Sequence, residues 1–351
     1  MNFNGEMLTL ARQRAGATQK ELSAKTGVPA STISRMEAGL MRLPQRDTIE
    51  KLASAVGVPV AFFDRPDEVR HLGLHRLYRL QRKVNARELD RLEAELNIRR
   101  LHFFEVLGQV EVESSLALPD LGALTDRSPT EAARFMRATW SLRTGPIGNL
   151  TALLEAAGVL VLEIDNVTSA FEGLAVHAYG GRPIIFVKAG QSGDRRRFTL
   201  AHELAHLLLH PAVSDDHDRQ ANEFAAEFLF PETEARQHLG NFNVMRAIDI
   251  KRLYRVSLQF LAQRAANLNL MSSEELTRFY KMMSARGWRA NEPGEVVLER
   301  PMLGTKLINV MVNDLQYTID ELAELFRETP ELVRTYYNFS APAPKRLKLV
   351  P

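Results

Sequence analysis

The segment RRRFTLAHELAHLLLHP, residues 195–211, constrains the fold of this chain more than any other stretch. Its apolar residues recur at three- and four-residue steps, which predicts an amphipathic helix near 195–210 with one buried face. His202 and His206 stand four positions apart, so a helix brings both imidazoles to the same side. The fold must therefore bury one face of this helix while keeping two histidines next to each other.

Two imidazoles on one helical turn can reach a single metal ion about 2.0–2.1 Å from each nitrogen. Glu203 follows the first histidine and is offset enough to act on a water molecule instead of the metal. Because the 351 residues include no cysteine, disulfides and thiolate zinc sites are excluded, and a third ligand has to be His, Asp or Glu. The HExxH spacing thus predicts one Zn2+ ion with Glu203 as the catalytic base; the alternative is a pair of ordinary surface or core histidines.

A second predicted helix, near 218–230, lies in the sequence DRQANEFAAEFLFP. Asp218 stands twelve positions after His206, which leaves room for a loop and a returning helix. Asp218 also borders the apolar face of this helix, so its carboxylate can complete a site of two imidazoles and one acid. Asn222, one turn further on, can orient a ligating imidazole through a hydrogen bond.

Short β-branched runs bounded by glycine and proline precede the histidine helix. They predict strands at 159–164, 173–179 and 183–189, preceded by helices at 130–140 and 147–157. Beyond residue 245 the pattern is again helical and ends in a helical pair at 318–338. The whole chain is therefore expected to be mainly α and multidomain, with an α+β zinc domain that contains a small sheet.

Residues 183–231 resemble the ImmA/IrrE family of HExxH metallopeptidases, through a strand followed by the two helical segments quoted above. The resemblance implies a zincin-like fold and cleavage of a specific protein target. The family's third ligand is usually a glutamate at the position of Asp218. Aspartate is one methylene shorter, so the helix approaches more closely, the carboxylate acts through water, or Glu223 or His217 substitutes. His210 and His217 are otherwise expected to be bystanders.

The segment TQKELSAKTGVPASTISRMEAG, residues 18–39, has the pattern of two short helices joined by a tight turn. Gly27 suits the turn because a positive φ is cheap only for glycine, and Pro29 opens the next helix without losing a hydrogen bond. Ile33 and Met36 then face inward. The outward face carries small residues and an arginine that can enter a DNA major groove, Ala30, Ser31, Ser34 and Arg35.

Residues 6–63 resemble the five-helix, lambda-repressor-like (XRE) DNA-binding domains. The matching features are Gln19, Ile33, Met36-Glu37-x-Gly39 and LASAVGVPVAFFD at 52–64. The resemblance implies that Gln19 touches phosphate and that the third helix reads bases through the four outward residues. We expect further phosphate contacts from the flanking arginines Arg12, Arg42 and Arg46. The alternative is a helical bundle used for protein contacts.

Positive charge is concentrated at the N-terminal end, although the net charge of the chain is only +2. Residues 1–65 and residues 66–100 each hold nine Lys or Arg against six Asp or Glu, so a polyanion is expected to bind there. A long helical pattern runs from Asn85 to Glu113, with fewer than four clean heptads. It predicts either a helix packed on its own neighbours or a dimer helix. The arginines at 195–197 are expected to be the solvated start of the zinc helix, or else to contact an acidic substrate.

These patterns divide the chain into four segments. We expect a DNA-binding domain at 1–65, a helical linker and possible dimer helix at 66–128, and a zinc domain at 129–245. A helical C-terminal region at 246–351 completes the chain; it is structural or dimer-forming, or includes a second helix-turn-helix-like element.

The two resemblances together imply a transcriptional regulator that binds a double-stranded operator as a homodimer and cleaves a protein, such as a repressor or a toxin. One alternative is an antitoxin-like repressor whose zinc domain is a non-catalytic sensor or scaffold. Another is a peptidase whose helix-turn-helix recognises protein. No run approaches the roughly 18 apolar residues that span a bilayer, and the N-terminus lacks a signal-peptide pattern, so a cytoplasmic location without membrane contact is expected.

Overall fold

The structure is a computed structural model that describes residues 3–339 except 42, 67, 68, 70, 71, 73, 75–84, 121, 143, 166, 169, 177–181, 211–215 and 338. Arg42, His71, His75 and His177 therefore lie outside the described residues. The chain forms two compact units. The first consists of Met1–Glu111 together with Thr305–Pro351, and the second of Val112–Gly304.

The first unit begins with four short helices, α1 (Gly5–Arg14), α2 (Gln19–Thr26), α3 (Ala30–Glu37) and α4 (Arg46–Val56). A 3₁₀ segment, Val60–Asp64, takes the place of a fifth α-helix. Thr18 caps α2 in a capping box with Glu21, and Gly27 ends this helix at a φ of 74°. Ile33 and Met36 of α3 are fully buried, as the sequence predicts.

A long helix and a C-terminal group of short helices complete the first unit. They are α5 (Ala86–Gln109), α14 (Leu303–Asn309), a π-helical turn (Val310–Asp314), α15 (Ile319–Phe326) and α16 (Pro330–Tyr337). The boundary between the units falls inside α14, after Gly304. Ile98 and Leu101 of α5 belong to the same hydrophobic cluster as α1 and α3. The long helix is therefore packed on its own neighbours, and its use in a dimer stays a prediction.

The second unit surrounds a small sheet with helices. Before the sheet come α6 (Pro129–Thr139) and α7 (Leu150–Ala156), and after it come α8 (Gly193–Leu209), α9 (His217–Leu229), α10 (Glu232–Leu239), α11 (Val244–Tyr254), α12 (Leu258–Asn267) and α13 (Ser273–Ala285). Helices α6 to α13 contribute to one continuous hydrophobic core with the strands. The protein is mainly α-helical with a small three-stranded sheet, which confirms the predicted fold class.

The sheet has the strand order β1-β3-β2, where β1 is Leu160–Ile164, β2 is Gly173–Val176 and β3 is Ile184–Lys188. Strands β1 and β3 are parallel, whereas β2 and β3 are antiparallel. Strand β3 is buried along most of its length because it is central. Strand β2 is an edge strand that packs against α8, which places its backbone beside the histidine helix.

The predicted segment 246–351 is divided between the two compact units. Helices α11 to α13 pack into the core of the second unit, whereas residues from Thr305 onward belong to the first. The four predicted segment boundaries stay predictions. Within the part of the chain that the structure describes, no helix is long and apolar enough to cross a membrane.

Candidate metal centre

Three side chains from two consecutive helices converge at one point of the second unit. The Nε2 atoms of His202 and His206, both on α8, lie 3.0 Å apart. The Oδ1 atom of Asp218, in the first turn of α9, lies 3.7 Å from each of these nitrogens. Helix α8 presents both imidazoles on one face, and α9 returns to bring the carboxylate opposite them.

The geometry of these three atoms fits a tetrahedral zinc ion. Ligands about 2.0–2.1 Å from a tetrahedral metal are about 3.3–3.4 Å from one another. The three observed separations, 3.0, 3.7 and 3.7 Å, bracket that value. Two imidazole nitrogens and one carboxylate oxygen are also the donor set of hydrolytic zinc sites, which leave a fourth position open. Among the described residues, these are the three that could hold such an ion.

Asn222 orients the first histidine. Its Oδ1 lies 3.0 Å from Nδ1 of His202, and a carbonyl oxygen can only accept a hydrogen bond. Nδ1 therefore donates a proton to Asn222, and Nε2 is the ring nitrogen that faces Asp218 and His206. This is the arrangement expected of a residue that fixes the tautomer of a ligating imidazole.

Glu203 lies on α8 beside His202 but turns toward the edge strand β2. Its Oε2 accepts the backbone N–H of Ala175 at 2.8 Å. Burial raises the pKa of Glu203 to about 7, and the nearby His202 and the bond from Ala175 only partly oppose this. The low-polarity surroundings therefore favour the protonated form of this carboxyl group more than water does.

Gly173 allows the close approach of β2 to Glu203. A Cβ atom at this position would lie 2.6 Å from Cγ2 of Thr199 and 3.1 Å from Oε1 of Glu203. A side chain there would push the strand away from α8. No local sequence signal singles out Gly173 or Ala175, because only the folded chain brings this strand against the helix.

The two histidines differ in their electrostatic surroundings. The pKa of His206 is lowered to about 3, chiefly by burial and also by the neighbouring His202 and His210. Burial also acts to lower the pKa of His202, but hydrogen bonding to Asp218 and the charge of Glu203 outweigh it, so that this pKa is raised. The pKa of Asp218 is lowered, first by its bond to His202. In the protein without a bound ion, His202 and Asp218 therefore favour their charged forms, whereas His206 favours its neutral form.

In the first unit, α3 presents the outward face that the sequence predicts. Ser31, Ser34 and Arg35 are exposed, and Ala30 is half-buried. Arg46, at the start of α4, is also exposed and pairs with Glu50 at 2.8 Å. Such a face is open to a nucleic-acid groove.

Gln19 and Arg12 are already engaged in the protein without DNA. Nε2 of Gln19 donates to Oε2 of Glu37 at 2.7 Å, while Arg12 donates to both carboxylate oxygens of Glu37. Arg12 also reaches the carbonyl of Ala17. These contacts hold the ends of α1, α2 and α3 together. To contact a phosphate, Gln19 or Arg12 must therefore divide its N–H donors between Glu37 and the DNA.

Two family models match the chain. The model described as Helix-turn-helix matches residues 8–63, and the model described as IrrE N-terminal-like domain matches residues 154–266. The chain joins an XRE-type helix-turn-helix domain to an IrrE/ImmA-like domain. None of the curated proteins compared with the chain matches it.

The IrrE-like domain contains the three residues that could hold the metal, together with Glu203 and Asn222, on α8 and α9. Its matched range reaches residue 266, which takes in α11 and nearly all of α12. Those helices lie beyond the predicted end of the zinc domain at 245. The common hydrophobic core of α8, α9, α11 and α12 gives a physical reason for the longer range.

The arginines that open α8 in the IrrE-like domain are not a solvated helix start. Arg196 and Arg197 are fully buried. Arg196 donates to Glu163 and Gln191, and Arg197 pairs with the buried Glu299. Arg195 is exposed and pairs with Glu172. The expectation of a solvated start is therefore wrong for two of the three arginines.

His210 is not a member of the three-ligand group, yet it is not isolated from it. It is buried, and its Nδ1 lies 3.0 Å from Nδ1 of His206. Its Nε2 lies 2.8 Å from Oε1 of Gln220 on α9. The ring of His217 stacks on that of His210 at 3.9 Å. The remaining described histidines, His102 and His238, lie outside the group.

Proposed function

We propose that this protein is a DNA-binding transcriptional regulator whose IrrE-like domain is a zinc-dependent endopeptidase acting on a specific protein. The observation that supports the enzymatic part is the convergence of His202, His206 and Asp218 beside the buried carboxyl group of Glu203. The helix-turn-helix domain and the exposed face of α3 support DNA binding.

Zinc bound by His202, His206 and Asp218 would supply the Lewis acidity that polarises a scissile carbonyl. Glu203 would perform the proton transfers. Its Oε2 is fixed by Ala175, whereas its Oε1 has no hydrogen-bond partner among the described residues. Oε1 can therefore take a proton from an attacking water molecule and deliver it to the leaving amine. The burial of this carboxyl group, which raises its pKa, favours its acceptance of that proton.

In the first unit, α3 would enter the major groove with Ser31, Ser34 and Arg35 facing the bases. Ala30 would contribute a small apolar contact, and Gln19 and Arg46 would contact phosphates. One domain of this size covers only half of an operator, so a homodimer on a palindromic site is expected. The protein target would be a repressor, a toxin or another regulatory partner.

Peptidase activity is tested by comparing the zinc-loaded protein with its Glu203→Gln variant. Both proteins are incubated with a cell extract, and new N-termini are identified by mass spectrometry. We expect both to bind zinc and only the unmodified protein to generate a small, reproducible set of new N-termini. If the two sets are identical, the zinc domain is a non-catalytic sensor or scaffold in an antitoxin-like repressor.

DNA binding is tested by gel retardation of fragments from the gene's own promoter region at rising salt. Phosphate contacts release counterions, so the logarithm of the binding constant should fall linearly with the logarithm of salt concentration. Arg35→Ala should reduce the preference for the promoter fragment over random DNA, whereas Arg46→Ala should weaken binding to both alike. Failure to retard any promoter fragment would favour a helix-turn-helix that recognises protein.

A further inference from the structure

A second hydrogen-bonded chain leads from α9 to the metal centre, in addition to the Asn222 contact. It runs from Oε1 of Gln220 to Nε2 of His210 at 2.8 Å, and from Nδ1 of His210 to Nδ1 of His206 at 3.0 Å. Nε2 of His206 then faces Asp218 and His202. The chain thus ends at a predicted ligand atom.

The direction of these hydrogen bonds is set by Gln220, at the end that is farther from the metal position. The carbonyl oxygen of Gln220 can only accept, so Nε2 of His210 must carry the proton. Nδ1 of His210 is then unprotonated and accepts the Nδ1 proton of His206. The Nε2 atom of His206 is left with a lone pair that faces the position of the metal.

The opposite direction would abolish the ligand. If Nδ1 of His210 carried the proton, Nδ1 of His206 would have to accept it, and the proton of His206 would move to Nε2. A protonated ring nitrogen cannot bind a metal. The choice between the two directions therefore decides whether His206 is a ligand.

We propose that His210 is a positioning residue of the zinc site, which holds His206 in the tautomer and orientation that a ligand requires. The proposal rests on the zinc binding proposed above. In this proposal, His210 and Gln220 orient His206 in the way that Asn222 orients His202. Helix α9 would then contribute three residues to the site. Asp218 would be a ligand, and Gln220 and Asn222 would accept the hydrogen bonds that orient the ligating histidines.

The test compares three substitutions in the full-length protein. His210→Phe keeps a planar ring but removes the acceptor, and His210→Gln retains a carbonyl oxygen that can accept from His206. His238→Phe is the matched control, because it makes the same chemical change in the same unit, where the ring contacts Phe230 and Tyr254 instead of the metal centre. Gln220→Met, at a half-buried position, removes the outer acceptor without altering either ring.

Two measurements are made on each variant at one fixed pH. Zinc affinity is obtained by competition with a chromophoric chelator, and the tautomer of His206 in the zinc-free protein is read from long-range 15N–1H correlations. We expect His210→Phe to bind zinc about 10- to 100-fold more weakly, the usual cost of losing an outer partner of a ligand. We expect His210→Gln to recover most of this loss and His238→Phe to match the unmodified protein. Gln220→Met should shift the His206 signals in the same direction as His210→Phe.

Unchanged zinc affinity in His210→Phe, with the Nδ1 proton of His206 still in place, would overturn the proposal. So would a His210→Gln variant that binds zinc as weakly as His210→Phe, since that result indicates a purely steric role. If His210→Phe does not fold, Gln220→Met decides by the same two measurements. Absence of zinc binding in the unmodified protein would instead contradict the proposed function, and the tautomer measurement would still decide the role of His210.

Discussion

Asp218 reaches the metal position from a more exposed location than the two histidines. Its side chain is 75% exposed, against 17% for His202 and 20% for His206. The half-buried imidazoles contact neighbouring groups through both ring nitrogens, whereas most of the Asp218 side chain lies in solvent. A shorter side chain than glutamate is compatible with this site because Oδ1 is already within 3.7 Å of both nitrogens.

We expect Asp218→Ala to lose zinc affinity by more than about a hundredfold, because removing a ligand costs more than removing an outer partner. Asp218→Glu should retain zinc, since the carboxylate is kept and the site is open on this side. Glu223→Gln is the matched control on the same helix, where Glu223 pairs with Arg219 instead of the histidines. Zinc content by mass spectrometry and chelator competition provide the measurement. A zinc loss in Glu223→Gln but not in Asp218→Ala would make Glu223 the third ligand.

At the scale of single elements, helix α8 is anchored at its N-terminal end by buried ion pairs. Asp194 receives hydrogen bonds from Ser192 and from Lys251 of α11, the latter at 2.5 Å. Lys251 also bonds Glu292 at 2.7 Å, and Glu292 in turn accepts the backbone N–H of Leu258 at the start of α12. The helix that carries the histidines is thereby tied to α11 and α12.

We expect Lys251→Met to destabilise the IrrE-like domain by about 3–5 kcal/mol, because two buried carboxylates lose their cation. The effect should depend on pH. Burial acts to raise the pKa of Asp194, but the hydrogen bonds from Lys251 and Ser192 outweigh it and hold the pKa of this carboxyl group below its usual range. Because the pKa of Asp194 is lower in the folded protein than in the unfolded chain, the ion pair stabilises the fold above the unfolded-state pKa. This stabilisation is lost as the pH falls through the folded-state pKa.

Urea unfolding of both proteins between pH 7 and pH 3 provides the measurement. The difference in free energy of unfolding should be largest near pH 7 and should shrink below about pH 4. Lys281→Met, at an exposed position of α13, is the matched control and should change little. A pH-independent difference would show that Lys251 contributes through packing alone.

The sequence predicts α8, α9 and the three strands because their signals are local. Helical periodicity places His202 and His206 on one face, and the twelve positions between His206 and Asp218 leave room for a loop and a returning helix. The burial of Arg196 and Arg197 has no such local signal. Their acidic partners Glu163 and Glu299 lie 33 and 102 positions away, so that the sequence alone makes a run of three arginines look solvated. The same holds for Gly173, whose close approach to Glu203 exists only after the strand packs on the helix.

At the scale of the whole molecule, the first unit is discontinuous along the chain. The chain leaves this unit after residue 111 and returns to it at residue 305. The matched helix-turn-helix range, 8–63, is therefore only a part of the unit in which it folds. The returning segment brings Glu328 into contact with α1, where the carboxylate is fully buried and accepts two hydrogen bonds from Arg14. In the same unit, Arg65 donates to the carbonyl of Phe326.

This arrangement predicts that the DNA-binding unit depends on residues near the C-terminus. Replacing Glu328 by Gln leaves Arg14 buried without its counter-charge, and we expect a loss of about 3–5 kcal/mol in the stability of the first unit. Glu331→Gln, three positions further on and exposed, is the matched control and should change little.

The measurement is amide hydrogen exchange of α1 to α4, together with retardation of promoter DNA at the temperature where the variant begins to unfold. Faster exchange in α1 and weaker DNA binding, with unchanged exchange in α8 and α9, is the expected result for Glu328→Gln. Equal protection of α1 in Glu328→Gln and Glu331→Gln would mean that the buried pair contributes nothing to the stability of α1 or to operator binding.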